Sequence, residues 1–192
     1  VAGLITGIAT VHYFYMRDVW VTTGQSPTVF RYVDWFLTVP LQIVEFYLIL
    51  AAIASVPLAL FWRLLTYSLI MLIFGYLGEA NFVNVTLGFT IGMIAWIMII
   101  YEIFFGEASK INSNSANESC QNAFNALRLI VTIGWAIYPI GYFWGYMLGS
   151  ANMNIVNIIY NYADLINKTA FGLVIWAAAK KDSNRSVLSN SL

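Results

Sequence analysis

RYVDWFLTVPLQIVEFYLILAAIAS, residues 31–55, is the stretch whose reading settles the fold. Residues 32–55 suffice for one helical crossing of a bilayer, which takes about 20 mainly apolar residues. The stretch nevertheless carries two acids, Asp34 and Glu45, eleven positions apart. At about 100° per residue they return to within roughly 20° of one helix face, separated by roughly 16 Å along the axis. Thr38, one turn after Asp34, and Gln42, two turns after, lie near the same stripe and can hydrogen-bond it. Two carboxylates at different depths on one face suit stations in a proton path. The lesser alternative is a polar face lining an inert, water-filled cavity. Pro40 removes a backbone hydrogen bond and predicts a kink near the middle, a common feature of membrane helices.

The rest of the 192-residue chain continues the apolar theme, with 60% hydrophobic and only 9% charged residues. Ordinary soluble domains carry about 25% charge, so a soluble fold is excluded. Nine basic residues balance nine acidic ones, which leaves no basic face for nucleic acid. The aromatic content of 17% excludes intrinsic disorder. What remains is an all-α membrane protein embedded in the lipid bilayer. Six spans are expected, at residues 1–16, 32–55, 58–77, 83–105, 123–148 and 155–179. The first is short and has no polar lead-in, as if the chain were cut close to a helix start. Residues 1–10 lack the basic start of a cleavable signal peptide. Turn chemistry marks the breaks at residues 22–27, 78–81 and 149–152. Residues 106–122, rich in Asn and Ser, read as a flexible loop, and residues 182–192 as a disordered tail. Cys120, the single cysteine, makes no internal disulfide. Neither a soluble domain nor an internal repeat is visible.

Basic residues beside the spans set the orientation. Arg63, Lys110, Arg128, Lys180, Lys181 and Arg185 fall on one side, and only Arg17 and Arg31 on the other. The C-terminus is therefore expected in the cytoplasm, with residues 32–55 running from outside to inside.

Charged side chains at bilayer depth are costly and normally face the bundle interior, so each is a candidate functional group. Besides Asp34 and Glu45, Asp164 and Lys168 fall within the sixth span. Lys168 lies about midway along it, too deep to reach either surface easily. One reading pairs it with Asp164, one turn earlier, merely to hold helices together. The other is a desolvated, nucleophilic amine able to form a Schiff base with an aldehyde. His12 is the sole histidine, and no cluster of ligands at metal-binding spacing accompanies it, so no metal site is expected. It is either an interhelical hydrogen-bonding residue or a partner that tunes a nearby carboxylate. Arg31 reads as an interfacial anchor or as an inward counter-charge. Glu79 and Glu102, near span ends, read as interfacial.

Interfacial belts account for Trp20, Trp62 and Tyr101. Trp35, Trp96, Trp135, Tyr138 and Tyr142 also lie within spans. Packing is the first reading of these. The second is the wall of a pocket for a flat conjugated ligand, with Trp135 and Tyr138 three apart just before Pro139. Glycosylation triplets at Asn84, Asn117 and Asn167 are read as chance matches.

Taken together, the motifs resemble a known family. Arg31-Tyr32-Val33-Asp34-Trp35-Phe36-Leu37-Thr38-Val39-Pro40 resembles the third helix of microbial (type I) rhodopsins. Trp135-Ala136-Ile137-Tyr138-Pro139 resembles their sixth, and Asp164-Leu165-Ile166-Asn167-Lys168 their retinal-attachment helix. The resemblance spans essentially the whole chain in order and is nearest to proteorhodopsins, notably over residues 30–52, 74–80 and 157–176. It implies a bundle of seven transmembrane helices, of which the second to seventh are visible here. Residues 1–181 would form the retinal-binding bundle and residues 182–192 a cytoplasmic tail. It further implies all-trans retinal bound to Lys168 as a protonated Schiff base, with Asp34 and Asp164 as counterions. Asp34 would be the proton acceptor, Glu45 the cytoplasmic donor, His12 the partner of Asp34, and Arg31 the arginine beneath the Schiff base. Trp35, Met71, Trp96, Trp135, Tyr138 and Tyr142 would line the chromophore, and Gln42 would sit at the main colour-tuning position.

In this family, chloride pumps replace the acceptor carboxylate with a neutral residue. Sodium pumps carry Asn, Asp and Gln where this chain has Asp34, Thr38 and Glu45. Keeping both carboxylates matches outward proton pumps, and the orientation read from the basic residues gives the same direction. A polar Gln42, where green-absorbing relatives carry Leu, implies blue absorption, because an amide near the Schiff-base end stabilises the ground-state charge. The expected protein is a light-driven outward proton pump of the inner (plasma) membrane, not an enzyme, assembled as a pentamer or hexamer like its relatives. One alternative is a photosensory rhodopsin signalling to a membrane partner, against which Glu45 argues. The other is a secondary transporter, which would need inverted repeats or broken helices.

Overall fold

A computed structural model describes residues 1–189. Among them the chain runs through α1 (Ala2–Thr23), α2 (Thr28–Ala51), α3 (Leu58–Glu79), α4 (Val85–Phe104), the short α5 (Glu107–Ser115), α6 (Glu118–Met147) and α7 (Met153–Ser189). The six long helices are those expected, though with shifted ends. α1 extends to Thr23, where Gly24 takes a left-handed conformation (φ 67°) and returns its N–H to Trp20 O at 2.9 Å. α2 stops at Ala51 and runs unbroken through Pro40.

By length and apolarity alone, α2, α3, α4 together with α5, and α6 qualify as membrane crossings. α1 and α7 do not. These two carry His12, Asp164 and Lys168, and α1 also carries Arg17 and Asp18.

Two expectations about loops need correction. Residues 106–122 are not a flexible loop: α5 fills residues 107–115 and α6 begins at Glu118. The cause is Glu102, whose buried Oε1 accepts from Glu107 N at 2.7 Å and Ala108 N at 3.2 Å, satisfying the first N–H groups of α5. Arg63 bridges Glu102 and Glu107 at 3.4 and 2.5 Å. Glu102 is thus a structural cap rather than an interfacial charge. Asn117 caps α6 by accepting from Cys120 N at 2.9 Å. The tail is likewise not disordered over residues 182–189, where α7 continues. Lys181 pairs with Glu118 at 3.1 Å, and Asn117 Nδ2 donates to Asp182 at 3.3 Å, tying the end of α7 to the start of α6. Residues 190–192 lie outside the described ones.

α3 and α4 pack closely because glycines face each other. A Cβ on Gly88 would lie 2.7 Å from Phe74 O and 2.9 Å from Gly78 Cα. At the Glu45 end, Phe46 packs edge-on against Phe124 (5.3 Å) and Phe171 (6.3 Å), joining α2, α6 and α7 in a dry core.

Candidate functional site

α2 and α7 bring the intramembrane charges together. Lys168 Nζ donates to Asp34 Oδ2 and, at 2.8 Å, to Asp164 Oδ2. All three side chains are buried. Asp164 lies one helical turn before Lys168, so periodicity places both on one face. Isolated buried charges cost several kcal/mol each, and here the ammonium is compensated on two sides.

The two carboxylates have different surroundings. Asp164 also accepts from Tyr13 OH at 2.5 Å, Trp35 Nε1 at 3.0 Å and Tyr138 OH. Asp34 faces His12, whose Nδ1 lies 3.3 Å from Oδ1. Thr38, expected to bond the carboxylate stripe, donates instead to the main-chain oxygen of Asp34 at 3.0 Å. A threonine inside a helix readily returns its hydroxyl to the carbonyl four residues earlier. Tyr13 was not foreseen. Its available signal was a phenol within a span, which needs a hydrogen-bond partner when buried.

Arg31 points inward and is fully buried. It donates to Asn157 Oδ1 at 2.6 Å and Ser26 Oγ at 3.4 Å, and its guanidinium lies over the Tyr160 ring at 5.2 Å. Arg31 is thus turned inward, but its partners are polar and aromatic, and it forms no ion pair among the described residues. Glu45 is buried on α2, and its Oε2 has no partner.

An almost wholly apolar cavity adjoins Asp164 and Lys168, lined by α2, α3, α4, α6 and α7. Trp35, Gln42, Met71, Trp96, Trp135, Tyr138 and Tyr142 all line it, as do Asp164 and Lys168. The cavity also draws on residues not foreseen. Phe89 lies against Tyr142 (5.3 Å), and Gly75, Gly78, Gly88 and Gly92 also line it, where the first two let the hydroxyls of Tyr32 and Tyr142 come close to α3. Glu79 lines it too, which corrects the interfacial reading. The close α3–α4 turn folds the end of α3 inward, and Tyr32 OH donates to Glu79 Oε1 at 3.1 Å.

Comparison with known proteins matches residues 1–182 to the model of the bacteriorhodopsin-like proteins. The chain belongs to the bacteriorhodopsin-like family. It is 53% identical over 187 residues to the green-light absorbing proteorhodopsin of Gamma-proteobacterium EBAC31A08, covering 97% of this chain and 75% of that one. The blue-light absorbing proteorhodopsin of Gamma-proteobacterium Hot 75m4 is 52% identical over 188 residues, covering 97% and 74%. Among solved structures, the blue light-absorbing proteorhodopsin from Med12 superposes with a TM-score of 0.81 at 57% identity, covering 94% of this chain and 81% of that one. A microbial rhodopsin is a membrane protein and not an enzyme, and membership of this family implies a retinal chromophore. The all-α bundle expected from the sequence is the rhodopsin fold.

Proposed function

We propose that the chain forms the retinal-binding core of a light-driven pump that moves protons outward across the plasma membrane. The observation that carries this reading is the buried Lys168 Nζ held between Asp34 and Asp164 at the edge of an aromatic-walled cavity. The residues fit retinal. The amine has its counter-charges in place, and Trp35, Trp96, Trp135, Tyr138 and Tyr142 offer flat walls to a conjugated chain. The buried Gln42 Nε2 has no protein partner and suits a polar tuning role. Bound to Lys168 as a protonated Schiff base, retinal would supply light-dependent release and uptake of a proton at Nζ.

The protein's own groups then divide the work. Asp164, held by Tyr13, Trp35 and Tyr138, stays charged as a fixed counterion. Asp34 has fewer donors and takes the proton, with His12 beside it to tune its charge. Arg31 holds the outer end of the path through Asn157 and Ser26. Glu45 keeps a proton on the other side of Lys168 and returns it toward Nζ. Phe46, Phe124 and Phe171 exclude water from that half. With the C-terminus in the cytoplasm, as the basic residues favour, Asp34 lies toward the outside and Glu45 toward the inside. A proton passed to Asp34 and replaced through Glu45 therefore moves outward.

A groove between α1 and α7 reaches Asp164 and Lys168. On the seven-helix reading a further helix covers it, since these charges need shielding from lipid. Gln42 makes blue absorption the favoured variant, and a pentamer or hexamer is the assembly that the resemblance implies. Expression of the full-length protein in cells supplied with retinal tests the reading: light should acidify the medium, and a protonophore should abolish the signal. A visible pigment without acidification points to photosensing instead, and a protein that stays colourless overturns the rhodopsin reading.

A further inference from the structure

α6 departs from a regular helical ladder beside the cavity, and Pro139 is the cause. Proline has no N–H, so the Trp135 carbonyl loses its usual donor four residues on. It takes Tyr138 N instead, at 3.1 Å, which removes that amide from Gly134 O. Upstream, Ile130–Gly134 forms a π-helical turn in which Trp135 N bonds Ile130 O at 3.0 Å rather than Val131 O. Two carbonyls, those of Val131 and Gly134, are thereby left without a main-chain donor in a membrane span, where water cannot substitute.

Side chains from two other helices fill both places. Trp96 Nε1 of α4 donates to Val131 O at 3.0 Å, and Asn167 Nδ2 of α7 donates to Gly134 O at 3.0 Å. Both donors belong to the cavity wall. The fit at Gly134 is tight: a Cβ there would lie 2.2 Å from Asn167 Oδ1. Glycine is therefore what lets the amide lie against the turn.

We propose that Asn167 is a positioning residue that ties the backbone of Lys168 to the irregular turn of α6 through the Gly134 carbonyl. Any displacement of the lysine chain is thereby transmitted to α6. The proposal rests on the assignment of Lys168 as the chromophore lysine. Because Asn167 and Lys168 are adjacent, a pull on the lysine that moves its main chain also shifts the Asn167 amide. Loss of its bond to Gly134 then loosens the turn between Ile130 and Tyr138. Trp96 holds the same turn from the opposite wall.

The test is amide hydrogen exchange of peptides covering residues 130–138, on the full-length protein with retinal in lipid, in the dark and under illumination. Asn167→Ala should raise dark exchange there roughly fivefold, the worth of one net hydrogen bond. Light should raise exchange in the unmodified protein and add nothing further in Asn167→Ala. Gly134→Ala, which displaces the amide, should behave like Asn167→Ala, and the double variant should match either single. Trp96→Phe deletes the second donor while keeping an aromatic ring, and should raise exchange at the same peptides. If Asn167→Ala does not fold, Gly134→Ala and Trp96→Phe decide by the same criterion. Unchanged dark exchange in these variants overturns the proposal. So does a double variant that returns to unmodified rates, because Asn167→Ala would then merely have relieved a clash. If no pigment forms, the chromophore assignment fails, while the dark comparison still judges the tie between Asn167 and Gly134.

Discussion

Replacing Asp34 with Asn should abolish pumping, and Asp164 should not take over as acceptor although it also contacts Lys168. Lys168 serves both carboxylates, so the difference lies in the remaining donors. Asp164 has three, from Tyr13, Trp35 and Tyr138, and Asp34 has His12. A hydrogen bond to a charged group contributes about 1.5–3 kcal/mol. Two more such bonds hold the Asp164 carboxylate by about 3–6 kcal/mol beyond what His12 gives Asp34. Light-minus-dark infrared difference spectroscopy of the full-length pigment reads this directly in the carboxylic C=O stretch. A single protonated carboxyl should appear in the unmodified protein and vanish in Asp34→Asn. Tyr13→Phe combined with Tyr138→Phe removes two of the three donors and brings the pair near parity, so a second carboxyl band should emerge with Asp34 intact. The reasoning fails if Asp34→Asn still shows a transient protonated carboxyl and pumps. It fails equally if the double tyrosine variant keeps one band assignable to Asp34 alone.

Other outcomes follow from the same geometry. Gln42→Leu should red-shift the absorption maximum of the purified pigment, because the amide that favours ground-state charge is gone; an unmoved or blue-shifted maximum refutes the tuning role. Glu45→Gln should leave the pigment intact but slow the return of the proton to Lys168 Nζ in flash photolysis, and an unchanged rate would remove Glu45 from the path. Glu102→Gln weakens the acceptor of two α5 amides and of Arg63. It should cost about 1.5–3 kcal/mol locally, seen as faster amide exchange over Glu107–Ser115 with little change in colour. Equal exchange in both proteins would show that α5 stands without this cap.

How far the sequence revealed the site depended on what kind of group each residue carries. A charge in hydrocarbon demands an explanation, so Asp34, Glu45, Asp164 and Lys168 stood out at once, while the pairing of their helices was implied only by the resemblance to rhodopsins. Groups whose role depends on where another helix comes to lie were not legible. Tyr13 is 151 positions from Asp164, and nothing local distinguishes its phenol from a packing residue. Glu79 and Glu102 sit near helix ends, where charge is ordinary; only the close α3–α4 turn and the docking of α5 take them out of water. α5 itself is rich in Asn and Ser, which form helices weakly on their own, and depends on a carboxylate from α4. Pro139 went unread as a break in the α6 ladder, and only the fold supplies Trp96 and Asn167 as replacement donors. One rule connects these cases. Inside a bilayer each charge and each freed carbonyl must be answered by the protein itself. Placing Lys168 therefore calls for Asp34 and Asp164, the charge on Asp164 calls for Tyr13, Trp35 and Tyr138, and the break at Pro139 calls for Asn167 beside that same lysine.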